Sequence, residues 1–320
     1  MKISVIVPLY NNENEIERAL HSIFAQTVTG HEVIVVNDGS TDDGESVVRN
    51  MNDPRVRIIT QENKGVSAAR NRGIAEAKND LIAFLDADDE WRPNFLETVA
   101  RMHEAFPDCS VFGTHYLYRE VDGSISVPIL RRLPPGEWEG VLQNYFEVAA
   151  HSDPPLWSSA VAVKKNALQS IGGFPEGIAI GEDLLTWARL AVQYRVAYSK
   201  HQCAIFWLRG PLAGQPTRSP ETPDAVGEHL NNLRLSVHPR QRRDFALYAG
   251  MWHRMRASMF IHLDQSDRAL EEVHKIWRYS KVNPHAAAYF FLAITPRMIR
   301  KFVLQIFTFI KVLRRHVFIG

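Results

Sequence analysis

Between Ile3 and Phe106, four short apolar or β-branched runs each stop at a polar cluster and give way to a helical pattern. This alternation constrains the fold more than any other feature of the chain. ISVIVP (Ile3–Pro8) precedes apolar residues at Ile16, Ala19, Leu20, Ile23 and Phe24, a helix for which Asn11 or Asn12 is the expected cap. EVIVVN (Glu32–Asn37) precedes a helix through Val47 and Val48, and Val56–Thr60 precedes an alanine-rich helix over Val66–Ala77. Leu81–Leu85 is the fourth strand, followed by a helix carrying Phe95, Val99, Met102 and Phe106. Strand alternating with helix predicts a parallel sheet with helices on both faces. Such sheets bind ligands at the carboxyl ends of their strands. Tyr10-Asn11, Asp38-Gly39, Asn63-Lys64 and Asp86–Asp88 all follow strand ends, so four polar clusters should meet on one rim. No GxGxxG follows the first strand, which disfavours an NAD-type dinucleotide fold.

The fourth strand runs straight into Asp86, Asp88 and Asp89. Carboxylates this close repel, and more so as water is excluded, so the cluster calls for a positive partner. A hard divalent cation, Mg²⁺ or Mn²⁺, takes carboxylate oxygens and shares its shell with substrate phosphates. The alternative is a solvated acidic turn stabilised by a helix dipole, since Trp91-Arg92-Pro93 reads as a helix start.

With 320 residues, 45% of them hydrophobic, the chain can bury one large core or two smaller ones. Two distant cysteines, Cys109 and Cys203, make no disulfide framework, so a reducing cytoplasm is the expected setting. The first strand begins at Lys2-Ile3, and no export signal is expected ahead of it. The net charge of +1 hides an asymmetry. No Asp or Glu follows Glu272, while nine Lys and Arg do, leaving 28 basic against 36 acidic residues before that point. The two parts therefore face different partners.

The segments IVPLYNNENEIERALHSI, VIVVNDGSTDD, QENKGVSAARNRGI and AFLDADDEW, in this order and spacing, resemble the nucleotide-sugar-binding half of family 2 glycosyltransferases, inverting enzymes with the GT-A fold. IGGFPEGIAIGEDLLTWARLAV (Ile171–Val192) resembles the acceptor-side motif of the same family, so the likeness covers Met1–Phe206. It implies a nucleoside-diphosphate sugar donor, a UDP-sugar first, with a glycan or lipid-linked acceptor and no nucleic acid. It makes Asp183 the general base, with Glu182 shaping the acceptor site or the helix start. Asp38 would meet the nucleobase with Pro8 and Tyr10 beside it, and Asn11, Lys64 and Ala87 would lie along the donor. Arg70 would reach the nucleoside or the acids. Asp86 would contact ribose and metal, with Asp88 the main ligand of a Mn²⁺ or Mg²⁺ ion that stabilises the leaving diphosphate. On residue type alone, Asp183 is equally a plain helix N-terminal acid, Asp38 a turn-closing carboxylate and Arg70 a surface helix charge. A non-catalytic nucleotide-binding scaffold of a glycan-assembly complex is the alternative from another class. A glycosidase would use two carboxylates but has no use for a nucleotide pocket.

The family places a histidine or similar residue after the strand ending Ala204-Ile205-Phe206; here the chain reads Trp207-Leu208-Arg209-Gly210-Pro211. Arg209 or Arg218 is a candidate to neutralise the diphosphate instead, and the third metal ligand stays open. The expected organisation is a GT-A unit over 1–209, with a donor half at 1–92 and an acceptor half at 93–209. A Pro- and Gly-rich linker or lid follows at 210–223, then a helical appendage at 224–295 with a tetratricopeptide-like helix pair, and a basic amphipathic segment at 296–320. That last segment is apolar between Phe302 and Leu313, yet shorter than the ~20 residues needed to span a bilayer. It reads either as a helix lying on an anionic membrane surface or as a core helix docked on the appendage. A cytoplasmic, peripheral role in cell-envelope polysaccharide synthesis is the expectation.

Overall fold

In the computed structural model, which describes residues 2–208, 219–279 and 284–304, the alternation resolves into the predicted sheet. Strands β1 (Ile3–Leu9), β2 (Glu32–Asp38), β3 (Val56–Gln61) and β4 (Leu81–Phe84) are joined by helices α1 (Ile16–Phe24), α2 (Gly44–Asn50) and α3 (Val66–Glu76). β1 pairs in parallel with β2 and with β4, and β2 with β3. The sheet continues with β5 (Glu90–Trp91), α4 (Phe95–Ala105), β6 (Cys109–Arg119), β7 (Ile125–Ser126), β8 (Glu139–Val141), α5 (Tyr145–His151), β9 (Val161–Lys164), α6 (Lys165–Ser170), α7 (Glu182–Gln193) and β10 (Arg195–Trp207). The main strand order is β3-β2-β1-β4-β9-β6-β10-β5, with β7 on β6 and β8 on β10. β9 runs antiparallel to both β4 and β6, which makes the sheet mixed.

Because successive strand residues face opposite sides, β1 supplies Ile6 to one buried layer and Val5 and Val7 to the other. α3 packs against the first layer at close range. A Cβ on Gly73 would come within 2.5 Å of Ile6, so only glycine lets this helix approach β1 so nearly.

Two local expectations fail for identifiable reasons. Neither Asn11 nor Asn12 caps α1 through its side chain. Asn11 takes a left-handed conformation, φ 51°, and its carboxamide oxygen accepts the Thr41 N–H at 2.8 Å, tying two loops instead. Nor does a helix start at Trp91-Arg92-Pro93. Glu90–Trp91 pair with Ala204 and Ile205 of β10, Trp91 is buried against Phe95, and the helix opens only at Phe95. Hydrogen bonding and burial across the sheet outweighed the local helix signal.

Beyond the sheet lie α8 (Ala225–Leu233), α9 (Arg242–His262), α10 (Ser266–Tyr279) and α11 (Pro284–Ile294). Tyr248 and Trp252 of α9 share a buried cluster with Phe146 of α5 and Trp187 of α7. Residues 297–304 are helical and dock through the buried Arg300, which bonds Asp264, Ser266 and the Ala293 carbonyl. Met298, Ile299 and Phe302 remain exposed. Arg209 and Arg218, most of the proposed lid and the stretch from 305 onward lie outside the described residues.

Candidate active site

The predicted rim assembles at the carboxyl ends of β1, β2 and β4. Asp38, at the end of β2, is buried, and its carboxylate accepts from Gln61 Nε2 (2.7 Å) and from the backbone N–H groups of Lys64 (3.0 Å) and Gly65 (2.8 Å). It thus fixes the loop that launches α3, while the Lys64 side chain stays exposed. Pro8 is buried in β1 opposite Val36, and Tyr10 just beyond it is half exposed. Ala87 is buried between the acids on either side.

Arg70 lies one turn into α3, and its side chain is only 4% exposed. Nη2 donates to Asp86 Oδ1 at 2.7 Å, and Nη1 to Glu182 Oε1 at 3.3 Å. Its guanidinium also stands over the Phe174 ring at 5.1 Å. One buried cation thereby joins the acid after β4 to the acid opening α7, the latter 112 residues beyond Arg70 in sequence. This excludes the surface-charge reading of Arg70. Burial opposes its charge, but Asp86, Glu182 and Asp183 more than offset that and hold its pKa above the ordinary value.

The acids around it are held the other way. Burial, then the neighbouring Asp183 charge, push Glu182 up to about 7 against the pull of Arg70. Burial likewise raises Asp183 above the usual carboxylate range, with Arg70 and the Leu184 N–H opposing. Asp183 Oδ1 accepts that N–H at 2.6 Å, the interaction of a helix N-terminal acid.

The three acids after β4 separate. Asp89 turns inward and is 1% exposed. It accepts from Ser159 Oγ at 2.6 Å and from the Trp207 N–H at 3.3 Å. Burial, then Asp88 and Asp86, raise its pKa well above the ordinary value. Asp86 and Asp88 stay half-buried at the rim and offer hard oxygen donors. With β5 rather than a helix behind them, no helix dipole accounts for their grouping.

Sequence reasoning missed two supports. Ser159 Oγ accepts the Asp86 N–H at 3.0 Å while donating to Asp89, so one hydroxyl sets both acids. Arg18 donates to the Asp88 carbonyl at 2.7 Å and lies 3.9 Å over the Trp207 ring. Ser159 carries no motif; Arg18 sits inside one but reads as a surface position of α1. Among the described residues, the His, Asp and Glu group whose ligand atoms converge within 4.8 Å is elsewhere, at Asp224, His253 and Glu272.

Sheet order and rim together define a GT-A-type fold. The TarS 1-349 fragment of S. aureus in complex with UDP-GlcNAc superposes with a TM-score of 0.67 at 20% identity, covering 90% of this chain and 84% of that one. Mannosyltransferase PcManGT from Pyrobaculum calidifontis, in complex with GDP-Man and Mn²⁺, gives 0.59 at 20% identity over 89% and 77%. Residues 4–158 match the model of glycosyl transferase family 2. The uncharacterized glycosyltransferase YibD of Escherichia coli strain K12 is 45% identical over 103 residues, 32% of this chain. The chain spans 19–38% of the length of the first curated relatives it matches.

Proposed function

We propose that this chain is an inverting glycosyltransferase that moves a sugar from a nucleoside diphosphate, a UDP-sugar first, to a hydroxyl of a glycan or lipid-linked acceptor. The observation that carries the reading is Arg70, a single buried guanidinium linking the strand-end acid Asp86 to the acid pair that opens α7. In this reading Asp183 takes the proton of the incoming hydroxyl, whose oxygen attacks the anomeric carbon as its bond to the diphosphate breaks. Burial raises the basicity of that carboxylate, which suits it to the task. Arg70 bonds Glu182 and Asp86 and offsets their charge. Asp88 and the oxygen of Asp86 not bonded to Arg70 form a hard-donor pair that would hold Mg²⁺ or Mn²⁺, and such an ion supplies Lewis-acid stabilisation of the departing diphosphate. The Mn²⁺ complex of PcManGT supports the use of a divalent cation.

The test is a thermal-shift panel of UDP, GDP, CDP and dTDP, each with Mn²⁺ and with chelator, on wild type and Asp88→Ala. Stabilisation by one diphosphate that needs metal and disappears in the variant is the expected result. No shift with any diphosphate would overturn the donor-site reading and the nucleotide-binding scaffold with it.

A cytoplasmic site at an anionic membrane surface is part of the same proposal. No helix among the described residues is long and apolar enough to cross a membrane. Exposed Phe291, Ile294, Met298, Ile299 and Phe302, with exposed Lys301, supply apolar contact and positive charge together. Sedimentation with phosphatidylglycerol vesicles but not with phosphatidylcholine vesicles is the expected outcome, weakened in Phe302→Ser.

A further inference from the structure

Asp183 stands at the first turn of α7, and a helix end is fixed only by what packs against it. One side of this end is held by Arg70. The other is held by α9. Gly181, at φ 84° immediately before the helix, lies flat against the Trp252 indole; a Cβ there would come within 2.6 and 2.7 Å of two ring carbons. Tyr248, buried one turn earlier on α9, donates its hydroxyl to the Leu184 carbonyl at 2.8 Å, one residue past Asp183. Burial, then Tyr145, then Asp183 raise the pKa of the Tyr248 hydroxyl, which places this phenol within reach of the acid's field.

The α9 contacts are themselves braced from behind. Trp252 Nε1 donates to Asp224 Oδ1 at 3.0 Å, which sets the plane of the indole. Asp224 also accepts the Gly227 N–H at 2.9 Å, capping α8, and lies 3.3 Å from Arg256 Nε. Arg256 in turn donates to the Glu221 carbonyl at 3.0 Å, and the Glu221 carboxylate accepts the Ala179 N–H at 2.8 Å. The loop leading into α7 and the first turn of that helix are thus gripped by α9 and its partners at Ala179, Gly181 and Leu184.

We propose that Tyr248 and Trp252 are positioning residues for Asp183, so that α9, outside the segment matching the family model, is a working part of the active site. This rests on Asp183 being the base. Neither side chain needs to touch the reacting atoms; each sets where α7 begins. A misplaced first turn would lower turnover without loosening the donor, whose proposed contacts lie at the ends of β1, β2 and β4 and on the loop into α3.

The test uses the full chain as wild type, Tyr248→Phe, Trp252→Phe and Asp183→Asn. Tyr248→Phe keeps the ring and removes one hydrogen bond, worth about fivefold in an opening equilibrium. Amide exchange in peptides spanning 178–186 is expected to accelerate by about that factor in Tyr248→Phe and Trp252→Phe, with peptides spanning 81–90 unchanged. With UDP-GlcNAc as donor probe and water as acceptor, UDP release should slow by a similar factor while the UDP-GlcNAc KM stays constant. Unchanged exchange at 178–186, or equal acceleration at 81–90, overturns the proposal. So does full UDP release in Tyr248→Phe beside its loss in Asp183→Asn. Unaltered release in Asp183→Asn instead removes the base assignment, and the exchange data then report the coupling of α9 to α7 separately.

Discussion

Two buried arginines, Arg70 and Arg256, each sit among carboxylates, and they produce opposite electrostatics. Around Arg70 stand Asp86, Glu182 and Asp183, three acids to one cation, and Glu182 is pushed up to about 7. Around Arg256 stand Asp224 and Glu272. Lys275 Nζ lies 2.9 Å from Glu272, and His253 Nδ1 lies 2.6 Å from it. There burial opposes ionisation, but His253, Lys275 and Arg256 prevail and bring Glu272 down to about 2. The first cluster has more negative than positive charge and retains demand for a proton or a cation. The second is already balanced, its guanidinium occupying the place a metal would take between the two carboxylates. Convergence of ligand atoms therefore does not by itself mark a cation site; uncompensated charge does.

The sharpest way to break this contrast is Asp183→Asn. Loss of a general base should lower turnover by about 10²–10⁴-fold. Melting temperature should not fall, because a neutral amide carries no penalty for burial there, and UDP-dependent stabilisation should persist. A stable variant with wild-type turnover would make the first cluster structural like the second.

Arg70→Met should follow in size. Removing one partner of a buried charge network typically costs about 3–5 kcal/mol, read from urea unfolding. Since Arg70 holds the Asp183 pKa down, the acid limb of the pH–rate profile, already above the usual carboxylate range, should move further up in any folded fraction.

For the second cluster the pH dependence has the opposite sign. The folded pKa of Glu272 lies below the ordinary value of 4.5, so its contribution to stability is complete above about pH 4.5 and is lost as pH falls through about 2. It amounts to something on the order of 3 kcal/mol. Urea unfolding of wild type and Glu272→Gln should differ by that amount at pH 6 and converge as the solution is acidified. A gap that widens in acid would contradict the charge balance assigned here.

The smallest effect separates the clusters by metal. The Mn²⁺-dependent part of the UDP thermal shift, a few degrees, should vanish in Asp88→Ala and survive in Asp224→Asn. Loss of the shift in Asp224→Asn would move the metal to α8 and α9.

Much of this site was legible in the chain. The β-branched runs and their polar terminators located the rim, and the acids after Leu85 were identifiable because a strand end restricts where a side chain can go, whereas Glu182-Asp183 stood out only through the resemblance of its segment to the family's acceptor-side motif. Asn12, Trp91 and Asp89 were not. Trp91 and Asp89, like Asn11 with its bond from the Thr41 N–H, follow a local rule until a partner distant in sequence offers more, whereas Asn12 simply leaves its side chain out of the cap. Trp91 leaves its helix for β10, and Asp89 leaves the rim for Ser159.

The amino-acid sequence alone determined the parallel strand-helix half, the place of its binding rim and the residue types gathered there, because periodicity and strand polarity are local properties. Only the tertiary structure decided which acids share Arg70, which acid turns inward and which helix grips Asp183. Those outcomes depend on burial and on pairings between residues as far as 118 positions apart, and both exist only once the chain is folded.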